Sequence, residues 1–180
     1  LKRSERFEYH YSVDRIGQEP DHTEWSMTPQ TVNAVNLPLQ NALNFPAAIM
    51  EKPFFDAKAD PVVNYGAIGA VIGHEISHAF DDQGALFDAK GRLANWWTKE
   101  DFAHFQASGA KLAAQYSTYC PFPDLCVRGQ QTLGENIADV AGLSASYDGW
   151  RGSLGSKPAP KAQGFTGEQQ FFLSYAQSRR

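Results

Sequence analysis

Apolar positions in this chain recur mostly at helical spacing. Over Asn64–Asp81 they fall at Ile68, Val71, Ile72, Ile76, Ala79 and Phe80, which predicts the main helix. Gly66, Gly69 and Gly73 interrupt it, each at a cost of about 1 kcal/mol against alanine. Three glycines on one helix imply that a neighbouring backbone comes close. Thr98, with Asp101 three residues on, predicts an N-cap for a helix running to about Ala114. Leu133–Trp150 predicts a further helix, and Thr166 caps a last one over Glu168–Gln177. Ser4–Ile16 reads as a short helix of weak periodicity.

Strand-like alternation is scarce. Thr31–Val35 and Ala42–Phe45 are short apolar stretches around Pro38, Gln40 and Asn41, and predict a small hairpin or edge. Asp21–Met27, Pro53–Asp56 and Ala59–Pro61 read as loops, and Asp88–Gly91 as a turn. Gly152–Gly167, rich in Gly, Pro and Lys, reads as an exposed linker. Trp96-Trp97 and Phe171-Phe172 are assigned to the core. The predicted fold class is mainly α with a small β element, without internal repeats.

Composition narrows the function classes. A chain of 180 residues can bury a real core in one domain. Lys plus Arg number 16 and Asp plus Glu 20, a net charge of −4, which argues against a nucleic-acid partner. No apolar run is long enough for a membrane segment in this chain. The first residue is Leu, no signal peptide is visible, and the last helical pattern ends without a cap, so a fragment of a longer protein is expected. Cys120 and Cys126 flank Pro121 and Pro123 in a loop. They can form a local disulfide, which would suggest an oxidising compartment, or stand as two free thiols. With no second pair, they fit no zinc knuckle.

The strongest chemical pattern is His74-Glu75-Ile76-Ser77-His78, an HExxH. Residues four apart share a helix face, so both imidazoles can reach one zinc ion, with Glu75 placed to act on a water as general base. A third ligand is needed. In the HExxHxxGxxH pattern the later positions would be Gly and His, but here they are Asp81 and Gly84, which excludes that class. A Glu from a second helix is the alternative, and Gly134–Asp139 supplies it. Glu135 and Asp139 lie four apart on one face, Glu135 as metal ligand and Asp139 as acceptor for a ligand imidazole. Asp81, three residues from His78, is close enough for a second carboxylate–imidazole bond. Asp81 and Asp82 at the end of a helix are unfavourable for its dipole, which argues for a functional role of at least one. His10, His22 and His104 have no partner at ligand spacing and are read as surface residues.

Beyond HExxH, a series of stretches resembles the catalytic lobe of the neprilysin-type zinc endopeptidases, which include endothelin-converting enzymes and bacterial oligopeptidases. They are Trp25–Pro29, Val32–Ala34, Asn44–Ala47, Pro53–Phe55, Asn64–Gly69, Val71–Asp82, Asn95–Trp97, Leu133–Asp139 and Gln170–Gln177, in family order. The resemblance implies a zincin-like lobe of the gluzincin, thermolysin-like kind, truncated in this chain. It implies a lead-in over 1–30, edge strands and metal-site helices over 31–150, a loop over 151–167 and a cut last helix over 168–180. It implies one Zn2+ per chain held by His74, His78 and Glu135, and peptide substrates. Glu75 would activate the zinc-bound water, with Asp139 and Asp81 supporting the ligand imidazoles and Asp139 counted beside Glu75 in catalysis. Asn33 and Ala34 resemble the pair that holds the substrate backbone along an edge strand, in line with β-augmentation. A bacterial parent in the periplasm, outside the cell or at its surface is the matching expectation.

The chain also departs from the family pattern. Ala79 stands where Gly is common, Val35-Asn36 where a Tyr is common, and Ser178-Arg179-Arg180 follows Ala176-Gln177 where Trp is usual. A family His that stabilises the transition state and an Arg that binds the substrate carboxylate have no counterpart before Arg180, and the covering helical lobe is missing. The expected function is zinc-dependent hydrolysis of oligopeptides. The alternative is a zinc-binding but catalytically impaired fragment, and a more distant one is a helical interaction domain without metal.

Overall fold

Six α-helices and one two-stranded hairpin make up the structure, a computed structural model that describes residues 1–179. The elements are α1 (Lys2–Val13), β1 (Val35–Leu37), β2 (Ala42–Asn44), α2 (Pro61–Asn64), α3 (Ala70–Ser77), α4 (Lys99–Tyr116), α5 (Leu133–Leu154) and α6 (Gly167–Ser178). Short 3-10 turns fall at Ala47–Met50, His78–Phe80 and Gly84–Leu86. The class agrees with the expectation of a mainly helical fold with a small β element.

The hairpin lies later than Thr31–Val35 suggested. The Thr31 amide closes a turn onto the Thr28 carbonyl at 3.0 Å, so extended pairing begins only at Val35. The strands run antiparallel, with Val35 opposite Asn44 and Leu37 opposite Ala42. Asn41, at φ 46°, closes the turn between them.

The central helix also starts earlier than Asn64. Asp60 Oδ1 accepts from the Val62 amide at 3.1 Å, and Pro61 takes the first helical position. The loop expected at Ala59–Pro61 is therefore an N-cap. One π-helical turn over Tyr65–Gly69 separates α2 from α3. Neighbouring helices pin this irregular stretch. Ser146 Oγ of α5 donates to the Tyr65 carbonyl at 2.6 Å, and Ser174 Oγ of α6 donates to the Val63 carbonyl at 2.7 Å. α3 and α5 then touch backbone to backbone. A Cβ on Gly73 would stand 2.5 Å from the Gly142 carbonyl oxygen, and a Cβ on Gly142 would overlap the His74 amide. This is the close approach that the interrupting glycines implied.

Two apolar clusters hold the frame. Ala34, Ile49, Ile68 and Val71, with Phe45 and Phe54, tie the hairpin region to α3. Val62, Trp150 and Phe171 tie α2, α5 and α6, with the Trp150 and Phe171 rings stacked at 5.8 Å. Burying an aromatic or branched side chain of this kind stabilises by about 1.5–3 kcal/mol. Phe172 is half exposed and Trp96 is exposed, so of the two aromatic pairs only Phe171 is fully buried. Trp97 is partly buried and its Nε1 donates to the Ala85 carbonyl at 2.9 Å. Thr98 Oγ1 caps α4, and Thr166 with Gln169 forms a capping box on α6. α5 continues to Leu154, so the start of the expected linker is helical.

Candidate metal centre

His74 and His78 lie on adjacent turns at the C-terminal end of α3, where the helix tightens to 3-10 at His78–Phe80. The α3–α5 backbone contact sets α5 alongside, which brings Glu135 from its first turn to the same point. His74 Nε2 lies 3.0 Å from His78 Nε2 and 3.2 Å from Glu135 Oε2, and His78 Nε2 lies 3.8 Å from Glu135 Oε2. His74, His78 and Glu135 thus form a group able to hold a metal ion. A tetrahedral ion with ligand bonds of about 2.0–2.1 Å places its ligands about 3.3 Å apart. Two edges of the observed triangle, 3.0 and 3.2 Å, lie close to that length, and the third, at 3.8 Å, is longer.

The other imidazole nitrogens explain why these atoms face one another. His74 Nδ1 donates to Asp139 Oδ1 at 2.8 Å, and His78 Nδ1 donates to Asp81 Oδ2 at 2.6 Å. With Nδ1 as the donor, the neutral form of each ring presents a lone pair at Nε2. Two lone pairs and a carboxylate oxygen converge without a donor among them, an arrangement that calls for a cation. Asp81 is buried, and its Oδ1 accepts from the Gln83 and Gly84 amides at 2.8 and 2.7 Å. Burial pushes the Asp81 carboxyl up, but the bonds from His78 and those two amides outweigh it and hold the carboxyl below its usual range. The hydrogen bond to Asp81 raises the His78 imidazole against the opposing effect of burial.

Glu75 is buried on α3, and burial raises its carboxyl against the opposing charges of His74 and His78. It lines a cavity of about 380 Å³ together with both histidines, Glu135 and Asp81. Asn33 and Ala34 line the same cavity, on the lead-in to β1 rather than within the strand. An apolar cavity of about 540 Å³ adjoins it, walled by Phe80, Phe87 and Trp96 and sharing Asn36 and Pro38.

Two residues at the site carry no motif signal. Asn36 Nδ2 donates to the Glu75 carbonyl at 2.7 Å, satisfying a backbone acceptor in the last turn of α3 and joining the hairpin to the helix. Arg179 Nη2 donates to Asp139 Oδ1 at 2.6 Å. Both stood in the sequence only as departures from a family pattern. Cys120 and Cys126 form a disulfide in the connection between α4 and α5, apart from the metal group. His10, His22 and His104 are exposed and lie outside that group.

Known proteins resemble this chain in sequence and in fold. The chain is 40% identical over 174 residues to endothelin-converting enzyme 1 of Bos taurus, covering 95% of this chain and 23% of that protein. It is 41% identical over 170 residues to Neprilysin-3 of Drosophila melanogaster, covering 92% of this chain and 22% of that protein. Among solved structures, the Mycobacterium tuberculosis zinc metalloprotease ZMP1 in complex with inhibitor superposes with a TM-score of 0.91 at 46% identity, over 96% of this chain and 27% of that one. PEPO from Lactobacillus rhamnosis HN001 superposes with a TM-score of 0.78 at 39% identity, over 90% of this chain and 24% of that one. The chain spans about a quarter of the length of the curated relatives it matches. A family model described as peptidase family M13 matches residues 33–180, from the lead-in to β1 through every residue of the metal centre. The chain belongs to peptidase family M13.

Proposed function

We propose that this chain carries the zinc site of a metalloendopeptidase that hydrolyses peptide bonds in oligopeptides. The observation that carries the reading is the convergence of His74 Nε2, His78 Nε2 and Glu135 Oε2 with both Nδ1 atoms already bonded to carboxylates. Membership of a peptidase family, and a ZMP1 structure described as a zinc metalloprotease, support it.

Zinc bound there would supply a Lewis acid able to lower the pKa of a water to about 7 and to polarise a peptide carbonyl. His74, His78 and Glu135 would hold it, one ion per chain. Asp139 and Asp81 keep the two imidazoles in the tautomer and orientation that ligation needs. Glu75 faces the same cavity, accepts the proton of the attacking water and returns it to the leaving amine. Asn33 and Ala34 stand where an extended peptide would add beside β1, which has a single paired neighbour.

A Glu75→Gln variant tests the assignment. It is expected to retain one zinc per chain and lose peptide hydrolysis by a factor of about 10²–10⁴. Unchanged hydrolysis would remove Glu75 from the mechanism, and absence of zinc from the wild-type chain would remove the metal reading. A second reading is zinc binding with little hydrolysis by these residues alone. The 70% exposure of the Glu135 side chain favours it, since water there weakens the charge stabilisation a dry site provides. It predicts full zinc loading with turnover far below that of an intact relative.

A further inference from the structure

We infer that Arg179 is a positioning residue for the metal centre, acting through Asp139; the inference rests on the zinc reading of His74, His78 and Glu135. Asp139 Oδ1 accepts two hydrogen bonds, from His74 Nδ1 at 2.8 Å and from Arg179 Nη2 at 2.6 Å. The Asp139 side chain is 36% exposed, so without a second anchor it can turn toward water and leave His74 Nδ1 free to reorient. Arg179 supplies that anchor. Its guanidinium also sits over the Tyr175 ring, 5.2 Å from the centroid, which fixes the approach direction of the fork.

The base of Arg179 is itself well placed. It follows directly on α6, whose Phe171, Ser174 and Ser178 are buried. Ser174 bonds the Val63 carbonyl just ahead of the π turn, and Phe171 stacks on Trp150 of α5. α6 therefore docks on α2, which leads through the π turn into α3, and on α5. Arg179 carries that docking to the one carboxylate oxygen that orients His74. Its charge also offsets a cluster in which Glu75, Asp81, Glu135 and Asp139 gather around two histidines. The zinc affinity of this chain thus depends on a residue that touches neither the metal ligands nor the cavity.

Zinc affinity, measured on the 180-residue chain by competition with a chromophoric chelator, is the test. Losing an outer partner of a ligand histidine costs about 10–100-fold in affinity. Arg179 stands one bond further out, so Arg179→Gln is expected to weaken zinc binding by about 3–10-fold. Arg179→Lys should restore most of the loss, because a cation remains within reach of Asp139. The thermal midpoint of the metal-free Arg179→Gln chain should match wild type, which separates positioning from general destabilisation. In an Asp139→Asn background the Arg179→Gln effect should vanish. Affinity that is unchanged or tighter in Arg179→Gln overturns the inference, as does a loss that persists without the Asp139 carboxylate. A wild-type chain that takes up no zinc overturns the metal reading and the inference with it. A zinc-binding wild type indifferent to Arg179 overturns the inference alone.

Discussion

An alanine at position 73 probes the contact on which the metal centre depends. Its Cβ would stand 2.5 Å from the Gly142 carbonyl oxygen, where ordinary contacts begin at 3.4 Å. The obstacle is backbone inside a helix, so it cannot rotate away; α3 and α5 must part by about 1 Å. His74 is the next residue on α3, and Asp139 lies one turn from Gly142 on α5. Parting the helices takes the 2.8 Å bond between His74 and Asp139 out of hydrogen-bond range and stretches the 3.2 Å approach to Glu135. Overpacking of this kind costs about 1–3 kcal/mol, and alanine's better helix propensity returns about 1 kcal/mol. The net loss is about 0–2 kcal/mol, or up to about 8 °C in melting temperature for a chain of this size. Zinc affinity should fall about 10–100-fold, as for loss of a ligand's outer partner. Calorimetry of the metal-free chain and chelator competition read the two effects separately. Gly152 of α5 is the control, since a Cβ there meets nothing within 4 Å. Gly152→Ala should stabilise by about 0.5–1 kcal/mol. If Gly73→Ala melts at or above wild type and keeps its zinc affinity, the helices do not meet as described and the reasoning fails.

Other outcomes follow from single contacts. Asp81→Asn disturbs the acceptor of His78 Nδ1 and of two loop amides, and should weaken zinc about 10–100-fold while costing about 1–3 kcal/mol in urea unfolding; unaltered affinity would sink the role given to Asp81. Arg92 bonds Asp88 through Nε at 2.8 Å and Nη2 at 2.5 Å and, with neighbouring amides, lowers the Asp88 carboxyl from 3.8 to about 2. Because the folded value is depressed, its contribution to stability is present above 3.8 and lost as pH falls toward 2. Carbon-detected NMR should place the Asp88 midpoint near 2 in wild type and move it up toward 3.8 in Arg92→Gln. Reducing the Cys120–Cys126 disulfide, a closure with sequence separation 6, should cost about 2 kcal/mol by the chain-entropy relation, read as a lower melting temperature in dithiothreitol with zinc affinity retained.

The candidate metal-binding group was largely legible in the chain because helical periodicity is a local property. His74, Glu75 and His78 share a helix whose pattern is visible over a few turns, and Glu135 and Asp139 repeat the same spacing on α5. Sequence spacing therefore supplied two faces with the right groups. The capping residues Thr98 and Thr166 were equally readable, since a cap is a bond between residues three apart. The strand boundary and the helix start were not. The turn at Thr28–Thr31 and the Asp60 cap compete with the apolar pattern, and backbone hydrogen bonds decided both.

The alignment of the two faces belongs to the tertiary structure. It needs α3 and α5 at glycine-to-glycine distance, and it needs Ser146 and Ser174 to satisfy the carbonyls around the π turn between α2 and α3. No local rule sets those contacts, because each joins residues more than 60 positions apart. Asn36 on the Glu75 carbonyl and Arg179 on Asp139 are of the same kind, single polar contacts between distant segments. By itself the sequence determined which residues could hold a metal ion. Packing alone decided that they meet, and which neighbours hold them there.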